Sequence, residues 1–191
     1  MGDSGLVEWL IIFRAVQVIV QSSQNELHSG PLSAMFTAGE RKWKIREEHA
    51  SKSSSAVDQL GHLRCSIQQS LTDLELLPIY MGAIKEVQKS FAMTYSGGLL
   101  YETVEYTDVF IFSFCVSEEY LVLLKAHTQE ALAIFAYFCV IEKRTENKLW
   151  SLGRSEHLTS QIYTLLDAEH KLWVRWPVEE AGFQPEALDT I

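Results

Sequence analysis

Glu102, Glu105 and Asp108 stand three residues apart along the chain, a spacing that puts their carboxyls on one face if the segment is helical. Beside Tyr101 and Tyr106, and next to an aromatic-rich stretch, such a trio could do acid–base work in an apolar pocket. Desolvation there would push carboxyl pKa values upward. In a chain of formal charge −9 a solvated acidic edge is the favoured reading of the same residues. His127 and Tyr137 complete the polar candidates for catalysis. None of the six histidines forms a His-x3-His or His-Glu-x-x-His pair, and Cys65, Cys115 and Cys139 lie too far apart to share ligand spacing. No metal site is expected, and each histidine reads as a cap or a solvated side chain. A nucleophile elbow is missing, and Cys115 and Cys139 sit in apolar runs where burial makes a thiol inert. Gly97-Gly98 has no following Lys-Ser/Thr, so a phosphate loop is unsupported and no cofactor is expected.

Aromatic surface is the stronger signal. Phe91, Phe110, Phe114, Phe135, Phe138, Trp173 and Trp176 belong to four aromatic clusters on separate elements and could line a pocket for an apolar ligand. Most rings of this kind simply pack a core, and that reading competes at every one of these positions.

The elements that must carry these residues are all helical. Residues 5–23 are apolar nearly all round, as in a helix sandwiched by others or paired with another chain. Gly30-Pro31 breaks the chain before a short turn, and the charged, serine-ended stretch 37–55 is expected to be a mobile loop. Leu60, Leu63, Ile67, Leu71 and Leu74 predict an amphipathic helix from Ala56 to Leu77. Pro78 separates it from a second, carrying Tyr80, Ile84, Val87, Phe91 and Tyr95 at the same period. The segment from Tyr101 to Cys115 has both strand propensity and helical context, and helix is preferred. Ser117 predicts the cap of a helix reaching Lys125. Thr128 does the same for a central helix over 129–144, ending in Lys143 and Arg144 as the dipole prefers. Ser155 and Glu156 predict the start of a last amphipathic helix, with Leu158, Ile162, Leu165 and Leu166 on one face. Trp173, Val174 and Trp176 then lead to Pro177, which is expected to stop regular structure. The expected fold is all-α: a single compact domain over residues 1–191, with about seven helices around an apolar pocket.

Composition narrows the function classes. Apolar residues make up 47% of 191, enough for a real core. The acidic balance argues against direct nucleic-acid binding, which wants a basic face; the cluster Arg41, Lys42, Lys44 and Arg46 is cut by Trp43 and followed by two glutamates. The longest apolar run, Ala131 to Ile141, is too short for a membrane span. Three thiols without pairing signals fit a reducing compartment, so an intracellular protein, cytoplasmic or nuclear, is expected.

The pattern Trp150-x-x-Gly153, then Leu165-Leu166-Asp167, then Trp173-x-x-Trp176-Pro177 resembles the C-terminus of fungal six-cysteine zinc-cluster transcription factors of the sterol uptake control type. Glu8-Trp9-Leu10, Phe13-Arg14, Ser29-Gly30-Pro31-Leu32, Val116 to Tyr120, and Glu130-Ala131-Leu132 with Phe135 are also similar, while residues 37–70 match nothing in that family. The six closely spaced thiolates of its DNA-binding module are absent. The family's regulatory region normally begins well upstream of the stretch similar to Glu8. The resemblance therefore implies the latter part of a regulatory domain standing alone, either as a fragment or as a small protein put to another use. It further implies a non-DNA-binding module that takes a sterol or terpenoid-like molecule, with a possible homodimer face on helix 5–23 or on the central helix. The alternative is a metal-independent enzyme of fungal secondary metabolism, a cyclase, isomerase or cycloaddition catalyst built from the same pocket.

Overall fold

The structure, a computed structural model, describes residues 55–95, 112–144, 146 and 152–185, together with scattered positions between 15 and 44. Seven α-helices are named within these: α1 (Ser55–Ser70), α2 (Leu77–Tyr95), α3 (Glu118–Lys125), α4 (Gln129–Arg144), α5 (Arg154–Leu165), α6 (Ala168–Trp173) and α7 (Arg175–Ala181). The expected loop over 37–55 lies outside the described residues except for Lys44 and Ser55, which are helical. Of the expected first helix, positions 15, 18, 19, 22 and 23 are described; the first four are helical and Ser23 is a turn.

α4 is the axis of the fold. Every residue from Ala131 to Glu142 is buried, and each of the other six helices packs against it. A helix apolar on all sides needs neighbours on all sides, and its own chain supplies them, leaving no apolar face of α4 for a second copy. Around it, α1 contributes Leu60, Leu63 and Ile67 and α2 contributes Tyr80, Ile84, Val87 and Phe91. Phe138 stacks on Phe112 at 4.3 Å between ring centroids and on Phe135 at 5.5 Å. The result is an all-α domain.

Several boundaries differ from the sequence expectation, each for a local reason. α1 ends at Ser70, seven residues short of the expected Leu77. Asp73 takes over there: its carboxylate accepts from the Glu75 amide at 3.0 Å, and its carbonyl accepts from Leu76. A side chain that offers the backbone its own partner competes with helix, and Leu74, the last residue of the apolar pattern, is left exposed. α5 begins one residue before Ser155, with Gly153 at its N-cap (φ +74°). The capping acceptor is the distant Glu146 carboxylate, which takes the Ser155 amide at 2.7 Å. Pro177 does not stop the chain but sits in the first turn of α7, where its missing N–H is not needed. The C-terminal tryptophans thus lie on two short helices, α6 and α7, separated by Val174.

The Ser117 cap follows the expectation, accepting from the Tyr120 amide at 3.1 Å at the start of α3. Asp167, read from sequence only as the start of a turn, caps α6 by accepting from the His170 amide at 2.9 Å. Gln129 joins elements distant in sequence: its side-chain amide donates to the Leu165 carbonyl at 3.3 Å and accepts from the Asp167 amide at 2.9 Å. One side chain therefore closes the turn between α5 and α6 onto the start of α4.

Candidate functional site

Three of the nominated residues come together. Tyr137 on α4, Trp173 on α6 and Trp176 on α7 line a groove of about 400 Å³, whose opposite wall is the Gln59, His62, Leu63 and Ser66 face of α1. Leu172, Arg175 and Glu179 form the rest of the lining. Helical spacing on α1 sets Gln59, His62 and Ser66 along one stripe, and the break at Val174 lets both indoles reach the same cleft.

Packing fixes the aromatic walls. The Trp176 ring meets Phe91 edge-on at 5.8 Å and lies 5.6 Å from Tyr137, which anchors it to the core. Trp173 is half-buried, with its ring 4.2 Å from that of His170. His170 is itself oriented by Asp167, whose carboxylate lies 2.8 Å from Nδ1. The Tyr137 hydroxyl lies 3.2 Å from the Trp173 carbonyl and 3.4 Å from that of Gln59, to either of which it donates. Burial pushes its phenol well above the ordinary range. It is therefore a neutral hydroxyl that ties α4 to α1 and α6, and not a base at ordinary pH.

The other nominated residues lie elsewhere. His127 is the residue after the C-cap of α3, in the left-handed conformation (φ +56°). Its amide donates to Leu124 at 3.0 Å and that of Thr128 to Leu123 at 3.1 Å, the Schellman pattern that ends a helix. Phe91, Phe135 and Phe138 are fully buried in the packed core, and Phe114 is half-buried. Glu102, Glu105, Asp108 and Phe110 lie outside the described residues. Among the described residues, no group of three or more His, Cys, Asp or Glu could hold a metal ion, and no helix is long and apolar enough to cross a membrane.

The sequence reading missed a buried polar cluster between α4 and α5. Glu142 is only 3% exposed, and Arg154 Nε lies 3.6 Å from its Oε2. Desolvation raises its carboxyl to about 7, with Arg154 opposing the rise and Glu146 adding to it. Cys139, one turn earlier, is buried and its thiol is pushed well up by the same desolvation. The hydroxyls of Ser155 and Thr159 are buried in the same cluster, beside Glu146 and Cys139. The only sequence signal was a glutamate at the end of a run that is otherwise apolar, masked by Lys143 and Arg144 beside it.

Comparison with protein-family models, with curated proteins and with solved structures finds no match to this chain.

Proposed function

We propose that this chain is a non-enzymatic ligand-binding domain, and that the groove between α1 and α6–α7 takes a sterol- or terpenoid-like molecule bearing a hydroxyl or similar polar group. The observation that carries this reading is the convergence of Trp173, Trp176 and Tyr137 on one groove of about 400 Å³. That volume lies within the range of about 300–1,000 Å³ usual for small-molecule sites, where aromatic walls give affinity and a few polar groups give orientation. The indoles offer flat apolar faces, while Gln59, His62, Ser66, Arg175 and Glu179 supply donors and acceptors along the rim. A plain hydrocarbon would leave those groups poorly solvated; an amphipathic ring system satisfies both sides. The resemblance to sterol-responsive regulators supports the same ligand class.

The enzymatic alternative has less support. Among the described lining residues the buried titratable group is Tyr137, which keeps its proton and donates it to a backbone carbonyl. The test is tryptophan emission titrated with a hydroxylated sterol and with a sesquiterpene alcohol, in the parent protein and in Trp173→Ala. Saturable change in the parent, weakened at least about fivefold in the variant, is the expected result, since stacking on one large ring is worth about 1 kcal/mol or more. No saturable change with either compound sinks the proposal. Recovery of a chemically altered compound would replace it with the catalytic reading.

A further inference from the structure

A second groove adjoins the first along α6 and α7 and shares Leu172, Arg175 and Glu179 with it. Its volume is about 970 Å³, and its apolar wall is built from Tyr163, Leu172, Val178 and Phe183. Two cations, Lys171 and Arg175, stand on it. Neither makes an ion pair with a carboxylate among the described residues, although acidic residues outnumber basic ones 25 to 16 in the chain. Lys171 is held instead by its own neighbour: Nζ lies 4.7 Å over the centre of the Tyr163 ring, so that its charge is oriented at the groove by a partner that does not neutralise it. A third cation is close, because a Cβ built on Gly182, which also lines the groove, would come within 3.9 Å of Lys143 Nζ. Lys143 is paired with Glu146 at 3.0 Å. The opposing charge in the lining is Glu179.

Two cations against one carboxylate beside an apolar trough favour anions there, even in an acidic protein. Leu172 lies between the two cations in sequence and is 68% exposed, which adds apolar surface to the groove. We infer that this groove is a separate binding site for an amphipathic carboxylate, its ring or chain lying against Tyr163, Val178 and Phe183 and its carboxylate on Lys171 and Arg175. Arginine suits the carboxylate by its planar fork, and lysine as a mobile point charge. Arg175 lines both grooves, but Lys171 and Tyr163 line only the second and Trp173 and Trp176 only the first, so the inference can hold whether or not the first groove is a ligand site.

The experiment is a calorimetric titration of the full chain with 1-naphthaleneacetate and with the uncharged 1-naphthaleneethanol, at low and at high salt. The expected result is binding of the acid at least about tenfold tighter than the alcohol, with the preference shrinking as salt rises. Lys171→Gln removes most of the preference, Lys171→Arg keeps it, and Trp173→Ala leaves it unchanged. Equal affinity for acid and alcohol, binding of neither, or a preference that survives in Lys171→Gln overturns the proposal. Loss of the preference in Trp173→Ala would move the anion to the first groove and overturn it equally.

Discussion

Buried ionisable side chains report their surroundings through proton affinity, and Glu142 does so most directly. Its folded-state pKa of about 7 lies above the ordinary value of 4.5, so the folded protein binds a proton there that the unfolded chain releases. Its contribution to stability is therefore most favourable below about pH 4.5, is lost as pH rises toward 7, and is constant above that. One pKa unit corresponds to about 1.4 kcal/mol, so the span is on the order of 3 kcal/mol. Glu142→Gln should remove that slope. Melting curves of variant and parent between pH 5 and 8 should diverge in favour of the variant as pH rises; a constant difference would contradict the assignment. His127 yields a second residue-scale expectation. A left-handed conformation is unfavourable for any side chain, so His127→Gly should raise stability by about 1 kcal/mol. Were the imidazole instead needed by the ligand, the same change would cost binding while the fold gained.

At the scale of elements, the turn chemistry decides more than the helices do. Gln129 satisfies a carbonyl at the end of α5 and an amide at the start of α6. Gln129→Ala removes both bonds and should cost about 2 kcal/mol by chemical denaturation, two ordinary hydrogen bonds together, with faster amide exchange at Asp167. Ser117→Ala, losing only a cap, should cost about 1 kcal/mol. Helix positions from α2 to α4 were legible in the sequence because apolar period, proline and Ser-type caps agree there. The end of α1 was not legible, because Leu71 and Leu74 prolong the apolar period past the point where Asp73 captures the backbone. The start of α5 was hidden for a different reason: Ser155 is a plausible cap by residue type, while the acceptor used is Glu146, nine residues earlier. A local pattern cannot announce a partner that only the folded chain brings near. Pro177 misled similarly, since proline stops a helix interior but fits a first turn.

For the whole molecule, the candidate site was half legible. Tyr137 was nominated for its hydroxyl and Trp173 and Trp176 as pocket-lining rings, and the three line one groove. The opposite wall, Gln59, His62 and Ser66, carried no signal, because polar residues on the outer stripe of an amphipathic helix look the same whether they face solvent or a cleft. Phe91, Phe135 and Phe138 are ordinary core. Thiol accessibility gives a test of the packing as a whole: Cys65 is exposed and Cys139 fully buried with its thiol pKa raised. A disulfide reagent at neutral pH should modify Cys65 within minutes and Cys139 only in denaturant. Early reaction of Cys139 would mean that α4 is less enclosed than described.

That enclosure has a consequence for how the protein is made. The twelve consecutive buried residues of α4 are covered in part by α5, α6 and α7, which follow it in the chain. Translation at about 5–20 residues per second takes about 2–7 s to pass from Arg144 to Ala181. Until that stretch has been made and has emerged, the apolar face of α4 lacks three of the six helices that pack on it. Holdase chaperones should therefore engage this protein while it is being synthesised, and release it as Trp176 emerges.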